Sequence, residues 1–145
     1  MIGMGTLQPA VALMAWTLVM WLWMYATRIP AMRRARIDPD SLVRDPDGGL
    51  DRVLPVEVQW KAHNYNHLHE APTLFYAVAI ILAIIGQGDG WNATIAWIYV
   101  GVRVVHSLVQ ATVNRVVVRF ALFNLSMIVL AALVFHAALA VFDLV

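Results

Sequence analysis

The chain has 145 residues, of which 61% are hydrophobic and only 13% are charged. Soluble domains carry about 45–50% apolar and about 25% charged residues, so this composition indicates an integral membrane protein in one domain. A net charge of +1 gives no reason to expect a nucleic-acid partner, and the absence of cysteine excludes disulfides, thiolate metal sites and a cysteine nucleophile.

The first apolar run predicts a transmembrane helix over residues 7–26, because a span needs about 20 mostly apolar residues. No basic residue precedes this run, and arginines follow it from Arg28 onward, so we expect a retained helix rather than a cleaved secretory signal. Aspartate, proline and glycine recur in residues 38–49 without apolar periodicity. This pattern predicts a loop over about residues 28–55.

The second span, predicted over residues 56–85, begins with polar residues. Its continuous apolar part, residues 71–85, is too short to cross a bilayer, so we expect the helix to start upstream, near Val56. Pro72 lies inside this helix and lacks a backbone donor. It therefore predicts a kink where the polar part of the helix meets the apolar part.

The remaining apolar runs predict a third span over residues 91–112 and a fourth over residues 120–144. The glycine-rich segment 86–90 is a turn between the second and third spans. The sequence thus predicts an all-α fold, an integral membrane four-helix bundle formed by residues 1–145 as a single transmembrane domain.

The basic residues predict the orientation of the chain in the membrane. All ten Lys and Arg lie between residues 28 and 119. The positive-inside rule places segments 28–61 and 115–119 in the cytoplasm and both termini outside. The predicted localisation is therefore a multi-pass membrane protein surrounded by lipid, in the inner membrane if the chain is bacterial.

Polar side chains recur at helical spacing in the second and third spans. The second span carries His63, Asn66, His67 and Glu70, and the third carries Tyr99, Arg103, His106, Gln110 and Asn114. Positions three or four apart share one face of a helix. Ionisable groups at membrane depth are costly and normally face a bundle interior or a cavity, so we expect the two faces to meet and to mark a functional site.

Three interpretations of these faces stay open from the residues alone. In the first, the faces are structural, and Glu70 pairs with Arg103 between helices. In the second, they bind a small anionic, amine-bearing molecule, with Glu70 on the ammonium. The carboxylates of that molecule would be held by the basic residues Lys61, Arg103, Arg115 and Arg119. In the third, the pair His63 and His67 ligates a metal or haem, but this spacing alone is a weak signature and we predict no metal site.

The fourth span carries few polar residues. His136 stands alone in it and is expected to be a hydrogen-bonded core histidine rather than a ligand. Asn124 and Ser126 are expected to contact neighbouring helices.

Two stretches of the chain resemble the MAPEG family, the membrane-associated proteins of eicosanoid and glutathione metabolism. Residues 63–76, HNYNHLHEAPTLFY, resemble its second-helix signature, and look most like a bacterial branch with the pattern N-Y-N-x-L-x-E-x-P-x-L-F-Y. Residues 97–119, WIYVGVRVVHSLVQATVNRVVVR, resemble the third helix and following turn of that branch. Together with the four spans, the resemblance covers nearly the whole chain.

The resemblance implies a homotrimer of four-helix bundles that binds glutathione between subunits, near the cytoplasmic side. Asn66 and Glu70 match the Asn and Glu of the family's second helix. Arg103 and His106 match an R-x-x-H in the third helix of prostaglandin E synthase-like members. Arg119 matches the arginine that stabilises the glutathione thiolate, which makes Arg119 the candidate catalytic residue.

The chain departs from the family pattern at three places. Asn66 and Glu70 are four apart, where the eicosanoid enzymes have three. The upstream arginine of the second helix has Lys61 and His63 as its nearest counterparts, and Gln110 stands where the prostaglandin synthase type has a tyrosine. Arginine and lysine are not interchangeable in a bidentate site.

The resemblance implies a glutathione-dependent transferase or peroxidase, with glutathione as co-substrate and lipophilic electrophiles entering from the bilayer. The predicted glutathione-binding residues are Lys61, His63, Asn66, Glu70, Arg103, His106, Gln110 and Arg115. The alternative is a non-catalytic membrane subunit or scaffold with the same fold, in which the polar faces are structural. The missing tyrosine at Gln110 favours this alternative, so whether the chain is an enzyme stays open at this point.

Overall fold

The computed structural model describes residues 2–38, 40 and 49–143, and this part of the chain is helical without strands. Its helices are α1 Leu7–Arg34, α2 Leu50–Val53, α3 Val56–His67, α4 Ala71–Ile84, α5 Trp91–Thr112 and α6 Val116–Val141. Four segments of the described chain are long and apolar enough to cross a membrane: α1, α3 with α4, α5, and α6. The structure confirms the predicted all-α bundle with four candidate spans.

Helix α1 is longer than the span that hydropathy predicts. It ends at Arg34 rather than at residue 26, and its last turn carries Arg33 and Arg34. Basic residues end the apolar run but not the helix, because the carboxyl end of a helix favours positive charge. Residues 28–34, predicted as the start of a loop, are therefore helical. The turn chemistry predicted for residues 45–48 lies outside the described residues.

Two further boundaries differ from the predicted ones. The short helix α2, Leu50–Val53, lies within the segment predicted as a loop. Helix α6 begins at Val116 rather than at residue 120 and ends at Val141. The early start follows from a tight connection after α5, in which Asn114 adopts a left-handed φ of 53°. Asparagine tolerates this conformation better than most residues, so it ends a helix abruptly.

The second span is broken at residues 68–70. Pro72 lies in the first turn of α4, where its missing N–H would have had no helical partner in any case. Glu70, just before α4, has a non-helical backbone with φ −90° and ψ −101°. The kink predicted from Pro72 is present, as an interruption between two helices.

The core lies where α5 packs against its neighbours. Helix α5 contacts α1, α3 and α6, and α4 contacts α1 and α6. Large apolar side chains such as Leu13, Phe75 and Leu82 are fully buried there. Others, including Leu22 and Ile84, remain exposed on the outer surface. Such an apolar exterior suits hydrocarbon as the surrounding solvent.

A buried hydrogen-bond node joins α1, α3 and α5. Asn64 Nδ2 donates to Ser107 Oγ over 2.8 Å, and Trp16 Nε1 donates to the same oxygen over 3.0 Å. Asn64 and Ser107 are almost completely buried. Because three helices share one hydroxyl group, the node fixes their position along the membrane normal relative to one another.

The segment before α1 packs against the turn between α4 and α5. Gly3 N donates to Ala83 O over 2.9 Å, and Gly5 N donates to Asp89 Oδ1 over 2.8 Å. A Cβ atom added at Gly3 would lie 2.6 Å from Gly88 N, so no side chain fits there without a backbone shift. The two segments therefore meet backbone to backbone.

The node predicts that Ser107→Ala destabilises the bundle, because two buried donors lose their acceptor. A buried polar group left unsatisfied costs about 1–3 kcal/mol, so the free energy of unfolding should fall by about that amount. Helix loss on heating in detergent, followed by circular dichroism, measures the change.

The matched control is Ser126→Ala, since Ser126 is equally buried but bonds only to Phe123 O of its own helix. We expect the unfolding temperature of this variant to stay close to that of the parent protein. Equal unfolding temperatures for the two alanine variants would contradict a role for the node in stability.

Candidate functional site

The polar face predicted on the third span lies inside the bundle. The side chains of Tyr99, Arg103, His106 and Gln110 are each at most 2% exposed. Asn114, the last residue of the predicted face, lies just beyond α5 and is half-buried. Burial of this face agrees with the high cost of polar groups in contact with lipid.

The face predicted on the second span meets α5 at only one of its residues. His67 is half-buried, and its ring centroid lies 5.5 Å from that of His106. His63, Asn66 and Glu70 are exposed. The buried residues of α3 are Ala62 and Asn64, so the inward face of the helix is rotated from the predicted one.

Arg103 caps the carboxyl end of α3. Its Nη2 donates to His67 O over 3.0 Å. The break after α3 leaves this carbonyl with only a long backbone contact of 3.5 Å, from Glu70 N. Arg103 Nε and Nη1 have no hydrogen-bond partner within the described chain. The guanidinium therefore gives a weakly bonded carbonyl a second, shorter hydrogen bond and keeps two donor atoms available.

In the described residues, Glu70 contacts His67 rather than forming the ion pair with Arg103 that the structural interpretation predicts. Glu70 Oε2 lies 3.3 Å from His67 Nε2. The physical reason is the helix break, which turns the Glu70 side chain outward and the His67 carbonyl inward. The structural interpretation of the two faces is thus correct about Arg103 as a link between helices but wrong about its partner.

A cavity of about 200 Å³ opens between α3, α5 and α6, and we call it the His67–Arg119 cleft. Its walls are formed by His67, His106, Val116, Arg119, Phe120 and Phe123. The ring centroids of His67 and Phe123 are 5.7 Å apart. The cleft thus combines two imidazoles and a guanidinium with an apolar wall from the start of α6.

Arg119 is held in place by the end of α5. Its Nη1 donates to Asn114 Oδ1 over 2.7 Å. Asn114 is itself fixed by a 2.7 Å bond from its backbone N–H to Val109 O. Arg119 Nε is buried and has no partner among the described residues. One side of the guanidinium is therefore anchored, and the other keeps a donor free.

Glu70 favours a proton on one nitrogen of His67. Its Oε2 lies 3.3 Å from His67 Nε2, and a carboxylate at that distance attracts an N–H at Nε2 more than at Nδ1. In the neutral ring Nδ1 then holds the lone pair. Nδ1 is buried and has no hydrogen-bond partner in the described structure. Since buried polar atoms are nearly always satisfied, it is a place for a donor from a bound molecule.

Two residues of the predicted binding set contact groups outside the cleft. Lys61 Nζ donates to Glu57 O over 2.7 Å and lies 5.8 Å from the centroid of the Trp23 ring. His63 Nε2 lies 3.1 Å from Asp51 Oδ2. Neither residue lines the His67–Arg119 cleft, so each could reach a ligand only outside this cavity.

The other predicted residues fall into two groups. Gln110 is buried but does not line the cleft, and its Oε1 has no described hydrogen-bond partner. Asn66 and Arg115 are exposed, as is Glu70. The structure therefore places His106 and Arg119 in the cleft and Arg103 next to it on the carbonyl of His67, and it leaves the exposed residues outside.

The cleft includes residues that the sequence patterns did not assign to it. Val116, Phe120 and Phe123 recur at helical spacing along α6, on the side that also carries Arg119. That spacing is a signal that could have found them. His67 was placed on the polar face of the second span but not in the binding set, although it is the residue of that face nearest to α5.

The two histidines considered as metal ligands have different partners. His63 pairs with Asp51, and His67 pairs with Glu70. In the described chain, no group of three or more His, Asp or Glu side chains is arranged to hold a metal ion. Each of these two imidazoles therefore contacts a carboxylate of its own.

A comparison with protein families places this site in a known fold. The model of the MAPEG family matches residues 6–139, which include α1 to α5 and nearly all of α6. Searches of curated proteins and of solved structures gave no significant match. The family match spans most of the chain and all four candidate membrane spans. The chain belongs to the MAPEG family of membrane four-helix bundle proteins.

Proposed function

We propose that the protein is a glutathione-dependent transferase or peroxidase that acts on lipophilic electrophiles. The observation that carries this proposal is the pair of unsatisfied polar atoms at the His67–Arg119 cleft, Arg119 Nε and His67 Nδ1. One is a cationic donor and the other a lone-pair acceptor. Together they can take the proton of a thiol and hold the resulting thiolate.

The attacking sulfur must come from a bound molecule, because the chain contains no cysteine. A thiol becomes nucleophilic when it ionises, and a nearby cation in a low-dielectric site favours the ionised form. In the proposed reaction His67 Nδ1 accepts the thiol proton while Glu70 keeps the Nε2 proton in place. Arg119 then holds the thiolate until its sulfur bonds to the electrophile, and the electron pair of the bond that breaks takes the proton from His67, on the leaving group or on the addition product.

An apolar substrate has a direct route to the cleft. Val116 and Phe120 line it, and they are 72% and 69% exposed on the outer surface of the bundle. In a membrane this surface faces hydrocarbon, so a lipophilic electrophile can reach the cleft without crossing water. This arrangement supports a lipophilic second substrate.

The size of the cleft supports a site completed by a second copy of the chain. Its volume of about 200 Å³ is below the range of about 300–1,000 Å³ that small-molecule sites usually have. Asn66, Glu70 and Arg115 are exposed nearby in sequence and remain available to a ligand between subunits. We infer a homotrimer that binds glutathione at subunit boundaries, as the family resemblance implies.

The proposed orientation places the cleft toward the cytoplasm, where glutathione is available. Arg119 and the basic residues of the α1 end share one side of the bundle, and the positive-inside rule assigns that side to the cytoplasm. The termini and the turn at residues 86–90 would then face outward.

One observation favours the second candidate, a non-catalytic subunit or scaffold. Arg103 is engaged with His67 O as a helix cap, which is a structural role.

The two candidates predict different effects of Glu70→Ala. For the enzyme, we expect this variant to keep its oligomeric state and to lose glutathione affinity, since the exposed carboxylate holds a ligand or His67 rather than another helix.

Light scattering during size-exclusion chromatography in detergent measures the oligomeric state of Glu70→Ala, and a glutathione-dependent thermal shift measures binding. A dissociated oligomer would favour the scaffold. A trimer with unchanged glutathione binding would contradict the assigned role of Glu70 in both candidates.

Arg119→Ala should abolish thiol conjugation, because the thiolate loses its cation. Removing one such electrostatic stabiliser lowers kcat by roughly 10²–10³ in known enzymes. The measurement is the rate of conjugation of glutathione with a model electrophile in detergent or liposomes. Arg33→Ala, at the exposed end of α1, is the control and should leave the rate unchanged. Purified protein with no thermal shift in millimolar glutathione and no activity would contradict the proposed function.

His67→Asn should lower conjugation while leaving glutathione binding nearly intact. Loss of a general base typically reduces the rate by about 10²–10⁴. The backbone carbonyl that receives Arg103 is kept in this variant, so the cap on α3 remains. Steady-state kinetics and glutathione thermal shifts separate the two effects. The control is His69→Asn, whose exposed ring bonds to Tyr65 O, and equal activity of the two variants would exclude His67 as the base.

A further inference from the structure

A second cavity lies at the opposite end of the bundle from the His67–Arg119 cleft. Its volume is about 490 Å³, within the range of about 300–1,000 Å³ typical of small-molecule sites. It is bounded by the turn after α4, the first turn of α5 and the end of α6, through Gln87, Asn92, His136, Leu139, Ala140 and Asp143. None of these residues belongs to the proposed glutathione site.

A chain of hydrogen bonds fixes the protonation pattern of His136. Asn92 Nδ2 donates to Gln87 O over 2.8 Å, so the other amide atom, Oδ1, is the one directed at the histidine. His136 Nδ1 lies 2.7 Å from Asn92 Oδ1 and must donate to it. In the neutral ring, Nε2 therefore carries the lone pair and is free to accept a hydrogen bond. His136 is bonded, as predicted, but it also borders a cavity.

The charges around this cavity favour a cation. Asp143 follows the carboxyl end of α6, where the helix dipole is negative, and it has no partner among the described residues. The last turn of α6 has no basic residue, and every Lys and Arg of the chain lies between residues 28 and 119. Asp89, near the same end, accepts a hydrogen bond from Gly5 N. Among the described residues, no Lys or Arg side chain pairs with the Asp143 carboxylate.

We propose that this cavity binds a small organic cation with a primary ammonium group. The ammonium donates one hydrogen bond to the Asp143 carboxylate and another to His136 Nε2, and its hydrocarbon part packs on Leu139 and Ala140. A bare metal ion is a poorer match, since the described chain offers no group of three metal-binding side chains and the cavity is much larger than an ion. This site does not depend on the glutathione proposal.

The test uses the full-length protein in detergent and two probes that differ in their N–H donors. Propylammonium has three, and tetramethylammonium has none. We expect propylammonium to give saturable binding in ligand-observed NMR and to raise the unfolding temperature, and tetramethylammonium to bind much more weakly. Asp143→Asn and His136→Phe should each weaken propylammonium binding about tenfold or more, as expected for a lost hydrogen bond to a charged group.

The control is Glu57→Gln, an exposed acid in the first turn of α3 at the other end of the bundle, which should bind propylammonium like the parent. Asp143 is exposed, so Asp143→Asn should fold and still tests the proposal if His136→Phe does not fold. Equal binding by parent and Asp143→Asn would overturn the proposal, as would equal binding of the two probes. Zinc binding that His136→Phe removes, without any propylammonium binding, would overturn it in favour of a metal.

Discussion

The hydrogen bond from Arg103 to the carbonyl of His67 is the contact on which the rest of the bundle depends. A break inside a membrane span exposes backbone groups that lipid cannot satisfy, at a cost of several kcal/mol each. A buried guanidinium is costly for the same reason. Here each group relieves the other across 3.0 Å. The break also turns His67 toward α5 and Glu70 outward, so the catalytic geometry proposed for the cleft follows from the same interruption.

The polar groups of the bundle are divided between its two ends. Outside the core, the Lys and Arg side chains of the described residues lie toward the end with Arg119 and the α1 arginines, whereas the other end carries the acidic side chains of Asp89 and Asp143. Between them, the hydroxyl group of Ser107 joins three helices and sets their relative height. Because that height is fixed, Arg103 meets the weakly bonded carbonyl at the end of α3 rather than a neighbouring turn. The hydrogen bonds that hold the helices together therefore also position the residues of the cleft.

Much of this arrangement can be predicted from the sequence, and the exceptions have physical causes. Apolar run length predicts the four spans, Pro72 predicts the kink, and helical spacing predicts the buried face of α5. Hydropathy could not show that α1 continues to Arg34, since a helix in water leaves no apolar pattern. Spacing shows which side chains share a face but not where that face points. The inward position of Asn64 and the outward position of Asn66 depend on packing against α1 and α5.

The close approach of Gly3 to Gly88 has a consequence for how the chain assembles. The first helix can enter the bilayer early in synthesis, but its amino-terminal anchor lies more than half the chain away, at the turn before α5. Contacts so distant in sequence form late, after the intervening segments have been ordered. The amino-terminal segment must therefore wait for α4 to complete its crossing. Docking of residues 2–6 therefore requires α4 and the turn after it to be in place.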